Sequence, residues 1–230
     1  MYQDSLKELL NNKKNFVFIG EAGSGKTEVA LSLAVQMTKL TEKEVHFFDM
    51  DQTKPNFRAR DVAQQMEKEG VNLHYHEQVL DLPSVVPGVR EKLMSPDCLC
   101  LLDIGGGSYG SHMIGQFYQV LSRDDVQVFY LVNPYRPWSG TSENINETMR
   151  RVLGAARLSK FSIVANPNFG LETTAEDILN GIPAIEERCS GYKIDYVCAL
   201  EKLCVEIENG TSIPVIPVNL HTLPDWMYKQ

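Results

Sequence analysis

Two glycines, a lysine and a threonine stand at fixed offsets in the stretch GEAGSGKT, residues 20–27. The stretch lies between the apolar run NFVFI and a run typical of a helix, the context in which a Gly-x-x-x-x-Gly-Lys-Thr loop binds phosphate. Its glycines let the backbone wrap around phosphate oxygens, and its N–H groups supply partial positive charge. We expect Lys26 to bridge the β- and γ-phosphates and the Thr27 hydroxyl to ligate Mg²⁺. The candidate binding residues here are Gly20, Glu21, Ala22, Gly23, Ser24, Gly25, Lys26, Thr27 and Glu28.

Acidic residues close two of the later apolar runs. Asp103 ends the run CLCLLDI and is followed by three glycines, where a carboxylate can hold Mg²⁺ directly or through water. Asp49 and Asp51 lie at the end of EVHFFDM, and we favour Asp51 as the group that positions water or metal. Asp49 can equally contact metal-bound water. The candidate catalytic residues are Lys26, Asp51 and Asp103, and the candidate metal ligands are Thr27, Asp51 and Asp103.

Asn166 ends another predicted strand, FSIVAN. Its amide offers one acceptor and two donors, a set that matches the N6/N7 edge of adenine. An Asx-turn before Pro167 explains the same asparagine equally well. The residues alone leave both readings open.

The elements that must position these side chains alternate between strand and helix. Apolar runs and alternating patterns predict strands at 15–19, 44–50, 71–76, 98–104, 126–132, 161–166, 194–200 and 213–218. Helices are predicted at 25–40, 59–69, 89–94, 113–122, 142–158 and 174–180. This alternation predicts an α/β fold, a mostly parallel sheet with helices on both faces. Ligands bind beyond the carboxyl ends of the strands in such sheets, where all the polar candidates lie.

Composition limits the class of protein. The 230 residues are 43% hydrophobic and 23% charged, and no linker divides them, so we expect one domain over 1–230. A net charge of −8 at pH 7 argues against a nucleic-acid surface. Arg150, Arg151 and Arg157 are expected to form a solvated helix face.

Location and metal content follow from short segments. No signal peptide or membrane-spanning run is recognised, and five irregularly placed cysteines favour a reduced, cytoplasmic protein. Cys98 and Cys100 are expected to pack inside a buried strand. His74 and His76 share one face of a predicted strand and could ligate a metal, although a polar strand edge is the commoner explanation.

Five stretches together resemble the CobQ/CobB/MinD/ParA nucleotide-binding family of SIMIBI-class P-loop proteins. They are the phosphate loop, FFDMDQTKPNFRARD, LLDIGGGSYGSHMIG, VNPYRPWSGTSENI and VANPNFGLETTAEDILNG, spanning about Phe16 to Trp226. The likeness is closest to little-characterised bacterial and archaeal ATP-binding proteins. It implies a doubly wound P-loop NTPase fold in which Lys26 and Thr27 hold ATP and Mg²⁺, and Asp103 is the Walker B-type acid. It also implies that Asp51 lies in the first switch and favours Asn166 as an adenine contact. Arg136-Pro137 matches a recurrent Arg-Pro pair of the close relatives.

The second residue of the loop departs from the family. MinD/ParA-type proteins carry a signature lysine at this position, which reaches across an ATP-sandwiched dimer. This chain has Glu21 there. A carboxylate repels a triphosphate, so we expect Glu21 to point away from the γ-phosphate or to meet a cation. The resemblance therefore leaves a homodimer possible without supplying its mechanism. The sequence LHTLPDWMYKQ also lacks the basic amphipathic helix of a MinD-like membrane anchor, so no membrane partner is expected.

The function that these features predict is a Mg²⁺-dependent ATP-binding protein, a slow ATPase whose nucleotide state is read by a protein partner. Bound ATP would order Asp51 and the region 105–110, and hydrolysis would relax them. One alternative is an enzyme that activates a substrate carboxylate with ATP, as the related dethiobiotin synthetase and cobyrinic acid a,c-diamide synthase do. Another is a nucleotide-binding module that does not hydrolyse its ligand.

Overall fold

The computed structural model describes residues 2–51, 59–75, 86–189 and 191–223. Their centre is an eight-stranded sheet in the order β3-β2-β4-β1-β5-β6-β7-β8. All of its strand pairings are parallel. The strands are β1 (Asn15–Ile19), β2 (Glu44–Met50), β3 (Val71–His74), β4 (Cys98–Ile104), β5 (Val126–Val132), β6 (Ser162–Ala165), β7 (Ile194–Leu200) and β8 (Val215–Val218).

Helices connect these strands and cover both faces of the sheet. In the described part of the chain they are α1 (Tyr2–Asn12), α2 (Lys26–Thr38), α3 (Ala63–Lys68), α4 (Val89–Met94), α5 (Gly107–Ile114), α6 (Tyr118–Leu121), α7 (Ser142–Ala156), α8 (Ala175–Arg188) and α9 (Cys204–Gly210). Short 3₁₀ turns cover Ala59–Val62, Gly115–Phe117, Pro137–Ser139, Gly170–Glu172 and Glu201–Leu203. None of the helices within these described ranges is long and apolar enough to cross a membrane.

Burial on two faces explains the continuous apolar runs. Every residue of β1 and β4 is buried, as expected for central strands of a parallel sheet. Alternate residues feed two separate cores, one containing Phe48 and Tyr130 and the other containing Phe16, Leu31 and Phe129. Both hydrophobic cores therefore fix the strand register that positions the carboxyl ends.

The order of the strands reverses at β1. The chain adds strands on one side of β1 through β2, β3 and β4, and on the other through β5 to β8. The predicted α/β fold with a doubly wound, mostly parallel sheet is thus confirmed. A crevice forms at the carboxyl ends where strand order reverses, and the loop after β1 opens into it.

The predicted helix at 113–122 is wrong at its start. Helix α5 begins at Gly107, the last of the three glycines after Asp103's strand, ends at Ile114 and packs against α7. The rest of the predicted helix is divided between the 3₁₀ turn at Gly115–Phe117 and α6. A side chain at Gly110 would collide with the backbone of Gly105, so the glycine permits the close turn at the start of the helix. Tertiary packing here outweighs the low helix propensity of glycine.

The predicted helix at 174–180 is too short. Helix α8 runs to Arg188 through Pro183, and a capping box between Thr174 and Asp177 fixes its start. Three isoleucines at helical spacing continue the buried face past the proline, which offsets the backbone hydrogen bond that proline cannot donate. They are Ile178, Ile182 and Ile185.

Two short strand ends also differ from expectation. Strand β3 ends at His74 rather than at residue 76. His76 lies outside the described residues. Strand β8 is the edge that its prolines predict, although it begins at Val215 rather than at 213.

Phe129 gives a direct test of the core. Its buried ring lies 6.3 Å from Phe16, 5.4 Å from Phe18 and 5.5 Å from Tyr196 between ring centroids. We expect Phe129→Ala to lower the free energy of unfolding by about 3–5 kcal/mol, because it removes a ring whose cavity the packed neighbours cannot fill. Urea denaturation measures the loss. Val205→Ala, at a side chain 68% exposed, is the control and should change stability by at most about 0.5 kcal/mol.

Candidate functional site

The loop between β1 and α2 depends on glycine at several positions. Gly23 and Gly25 have φ values of 74° and 90°, in the left-handed region that favours glycine. A Cβ at Gly25 would also collide with the amide nitrogen of Asn166. The loop therefore keeps a backbone shape that directs N–H groups around an anion.

Lys26 is held beneath this loop although it carries an ammonium group. The residue is only 2% exposed, and its Nζ donates a hydrogen bond of 3.0 Å to the carbonyl oxygen of Glu21. The Ser24 hydroxyl oxygen lies 3.5 Å from the same nitrogen. The lysine is thus folded back along the loop that it would serve, within reach of a phosphate bound there.

Thr27 and Asp103 meet at the carboxyl ends of adjacent strands. The Thr27 hydroxyl donates a hydrogen bond of 2.6 Å to the Asp103 carboxylate, and both side chains are buried. Asp103 is the register partner of Phe18, one residue before the end of β1. The structure therefore brings together the hydroxyl and the carboxylate that the sequence identifies as candidate metal ligands. Oxygen donors of this kind are the ligands that Mg²⁺ prefers.

Asp49 and Asp51 divide their roles at the end of β2. Asp49 accepts hydrogen bonds of 3.0 Å from the Asp51 backbone N–H and of 3.0 Å from Arg60 Nε. Burial raises the pKa of Asp49, and the neighbouring Arg60 guanidinium opposes that rise. Asp49 thereby organises the strand end, while a Cβ at Gly105 would lie 3.0 Å from Asp51 Oδ1. Asp51 thus packs against the loop that follows Asp103.

The glycine run after β4 contacts the phosphate loop directly. A Cβ at Gly106 would lie 2.8 Å from the Ala22 nitrogen, and one at Gly107 would lie 3.2 Å from Glu21 Oε1. Such close approach requires glycine. The glycine run and the phosphate loop are therefore packed directly against each other.

Glu21 meets the cation that the Coulomb argument leads us to expect. Its carboxylate accepts a hydrogen bond of 2.7 Å from Arg151 Nη2 in α7. Arg151 therefore does more than form part of a solvated helix face, which corrects the expectation for that residue. The partners are 130 positions apart, and no local sequence signal identifies the arginine.

Two side chains to which the sequence assigns no role also hold the phosphate loop. Arg136 Nε donates 3.0 Å to the Gly23 carbonyl, and the Trp138 ring nitrogen donates 3.0 Å to the Ala22 carbonyl. Both donors lie in or next to the 3₁₀ turn at Pro137–Ser139. The Arg-Pro pair noted in the sequence thus contributes an arginine that fixes loop carbonyls, while the proline begins the turn.

Asn166 lies directly after β6 and touches the phosphate loop. Its Nδ2 donates 2.7 Å to the Ser24 carbonyl, a long-range bond rather than the local Asx-turn considered from the sequence. A small cavity beside it is lined by Gly25, Val29, Leu200 and further residues. One amide hydrogen of Asn166 is therefore used on the loop, and the residue also lines the cavity.

The carboxylate of Glu28 is engaged away from the phosphate loop. Its carboxylate accepts hydrogen bonds from the backbone of His221 at 2.6 Å and of Thr222 at 3.0 Å. The Thr222 hydroxyl donates a further bond of 2.5 Å. The Glu28 carboxylate thus ties the segment after β8 to α2, and its backbone stays a candidate phosphate contact.

Together these groups fit a phosphate chain with a divalent cation. The loop has a glycine-dependent concave backbone and a buried lysine, and its threonine adjoins a buried carboxylate. The remaining predicted loop residues, Gly20, Ala22 and Ser24, belong to the same turn. The described site thus offers a lysine and backbone N–H groups to an anionic phosphate, and a hydroxyl and a carboxylate to a cation.

The similarities of this chain to known proteins lie in its fold. No protein-family model matches this chain, and no curated protein matches it. It is similar to chloroplast FtsY from Physcomitrella patens, with a TM-score of 0.53 and 14% identity over 85% of this chain and 65% of that one. It also resembles cell division protein FtsY from Thermotoga maritima, with a TM-score of 0.49 and 17% identity over 86% of this chain and 68% of that one.

A further similar structure is the signal recognition particle receptor FtsY from Elizabethkingia anophelis in complex with GDP. Its TM-score is 0.47 and its identity 16%, over 85% of this chain and 64% of the receptor, so the chain spans less than two thirds of that protein. Likeness at this identity shows the fold alone. The fold is the one seen in the FtsY structures, and the comparisons do not single out the CobQ/CobB/MinD/ParA family.

The buried ion pair between Arg60 and Asp49 yields a pH-dependent prediction. In Arg60→Gln the cation that stabilises the charged form of Asp49 is lost, and we expect a loss of about 3–5 kcal/mol at pH 7. The pKa of Asp49 in the folded chain then rises further above its unfolded value, so the folded state binds the proton more tightly. The penalty should therefore shrink as the pH falls toward about 4, because protonation of Asp49 in the folded variant removes the unpaired buried charge.

Urea unfolding at both pH values measures this difference. Arg151→Gln is the control, because Arg151 is half exposed and its pair with Glu21 should contribute at most about 1 kcal/mol. An equal loss for both variants, or a loss in Arg60→Gln that does not change with pH, would contradict the assignment.

Proposed function

We propose that this chain is a single domain that binds ATP with Mg²⁺ and acts as a slow, nucleotide-dependent switch for a protein partner. The observation that carries the proposal is the hydrogen bond of 2.6 Å between Thr27 and Asp103, next to the buried Lys26 of the phosphate loop. A hydroxyl, a carboxylate and an ammonium group converge on one loop in the arrangement that Mg-triphosphate binding requires.

The residues have separate roles in this proposal. Lys26 exchanges its bond to the Glu21 carbonyl for phosphate oxygens, which need the positive charge more than a neutral carbonyl does. Thr27 and Asp103 hold the cation, which when bound neutralises phosphate charge. Asp51 orients the attacking water, because its carboxylate lies against the glycine run that follows Asp103.

Contacts between loops support a switch. Gly106 and Gly107 lie against the phosphate loop, and Asp51 lies against Gly105, so a change at the phosphates reaches both acidic strand ends. The neighbouring Tyr109 on α5 is 56% exposed, so its ring presents apolar surface next to the glycine run. This position suits recognition by a partner, because aromatic side chains are enriched in interfaces.

The base preference rests on Asn166. Asn166 lines the cavity beside the phosphate loop, and an amide carries the donor and acceptor that read the N6/N7 edge of adenine. One of the similar FtsY structures contains GDP, so guanine is the competitor to be tested. Tighter binding of GTP than of ATP would contradict the adenine assignment.

Calorimetric titration with ATP and GTP in the presence of Mg²⁺ tests the site. We expect Lys26→Ala to weaken triphosphate binding about 10- to 100-fold, because a charge-assisted hydrogen bond is lost. Lys39→Ala, at an exposed lysine at the other end of α2, should bind as the wild type does. Unchanged affinity in Lys26→Ala, or no nucleotide binding in the wild type, would overturn the proposal.

Phosphate release then separates the possible activities. Slow release from ATP alone supports the switch. Release that depends strictly on a small carboxylic acid identifies an acid-activating enzyme instead, and binding without release identifies a non-hydrolysing module.

The pair formed by Glu21 and Arg151 predicts a compensating double mutant. Arg151→Gln leaves a carboxylate beside the phosphates without its cation, and we expect triphosphate affinity to fall about 3- to 10-fold. Adding Glu21→Gln should restore most of that loss. Arg150→Gln, on the exposed neighbour of Arg151, is the control. Equal affinities in the single and double variants would show that Arg151 does not act through Glu21.

A further inference from the structure

A second group of metal-binding side chains lies at the opposite end of the sheet. Glu44 and Cys98 begin β2 and β4 and are register partners, and His46 follows two residues after Glu44. Residues two apart in a strand point to the same face, so the three side chains share one face at the amino ends of the strands. The candidate nucleotide site lies beyond the carboxyl ends, and the two sites share no residue.

The ligand atoms of this group are close enough for one ion. His46 Nε2 lies 3.0 Å from Glu44 Oε2, and Cys98 Sγ lies 4.0 Å from the same oxygen. One ligand atom from each of the three residues lies within 4.8 Å of the others. Zinc bonds of about 2.0–2.3 Å need ligand atoms roughly 3.3–3.8 Å apart, so a small rearrangement would close the site.

His74 supplies the supporting contact that metal-bound histidines use. Its Nε2 lies 2.8 Å from His46 Nδ1, and its ring stacks on Phe48 with centroids 4.7 Å apart. With the His46 proton on Nδ1, that nitrogen donates to His74 and leaves the Nε2 lone pair facing Glu44 and Cys98. A second-shell acceptor of this kind orients the ligating ring.

One lysine competes with an ion for the Glu44 carboxylate. Lys92 Nζ lies 3.2 Å from Glu44 Oε2 and is the competing cation. Its side chain is about one-third exposed, so it can turn to solvent when a divalent ion replaces it.

We propose that Glu44, His46 and Cys98 form a site for a zinc-type divalent ion at the amino ends of β2 and β4. Binding releases the Cys98 thiol proton, so one carboxylate and one thiolate neutralise the ion. Water completes the coordination, and His74 is a positioning residue. Cys98 is then a metal ligand as well as a core residue, and the zinc links the two strands. Histidine and cysteine favour zinc over magnesium, so the two sites select different ions.

Titration with Co²⁺, an absorbing substitute for zinc, tests the site. Reduced protein is used with excess Mg²⁺, which occupies oxygen-lined sites but does not compete for thiolate. We expect one Co²⁺ per chain and a thiolate-to-cobalt charge-transfer band that Zn²⁺ abolishes. Cys98→Ser should lose the band, and Cys189→Ser, at a buried free cysteine elsewhere, should keep it.

Two further variants protect the test against misfolding. Glu44 is exposed, so Glu44→Gln should fold normally and yet bind Zn²⁺ at least about 10-fold more weakly, with His74→Gln losing about 10- to 100-fold. Glu91→Gln, at an exposed carboxylate in α4, is the matched control for Glu44. No charge-transfer band in the wild type, a band lost in Cys189→Ser, or unchanged Zn²⁺ affinity in Glu44→Gln would each overturn the proposal.

Discussion

The hydrogen bond between the Thr27 hydroxyl and the Asp103 carboxylate is the contact on which the account of this protein depends. It joins the first turn of α2 to the end of β4, and so fixes the phosphate loop to the acid beside it. Both groups are buried, where an unsatisfied polar atom costs about 1–3 kcal/mol. The parallel register of β1 and β4 makes the contact possible, because it places Asp103 beside the strand that feeds the loop. The fold thus brings the two proposed metal ligands together.

Around this contact the phosphate loop is restrained from several directions. Arg136 and Trp138 hold two of its carbonyl groups, Arg151 neutralises Glu21, and Asn166 donates to Ser24. A preorganised loop binds phosphate without a large ordering cost, which favours affinity. The glycine run after β4 is restrained less by side chains and more by close backbone approach. In the proposed switch, movement of this run would link the state of the phosphates to the surface around α5.

Local patterns predicted the elements well, and distant contacts explain what they missed. The apolar runs at 15–19, 44–50 and 98–104 match β1, β2 and β4 because burial on both faces leaves a continuous signal. The start of α5 was mispredicted because packing against α7 decides it, and α8 passes a proline that should have ended it. A cation near Glu21 was predictable from charge, but Arg151 was not, since only the fold brings it there. The group formed by Glu44, His46 and Cys98 was likewise invisible, because the sequence does not give the register of β2 against β4.

On nucleotide binding, Lys26 and Thr27 are proposed to exchange their hydrogen bonds within the protein for contacts to phosphate and Mg²⁺. A crystal structure with Mg²⁺ and a non-hydrolysable ATP analogue tests it most directly. We expect Lys26 Nζ to bond β- and γ-phosphate oxygens instead of the Glu21 carbonyl. We also expect Mg²⁺ to be bound by the Thr27 hydroxyl, with Asp103 bound to the ion or to its water. A nucleotide bound elsewhere on the chain, or a triphosphate in the loop with Lys26 still on the Glu21 carbonyl, would contradict it.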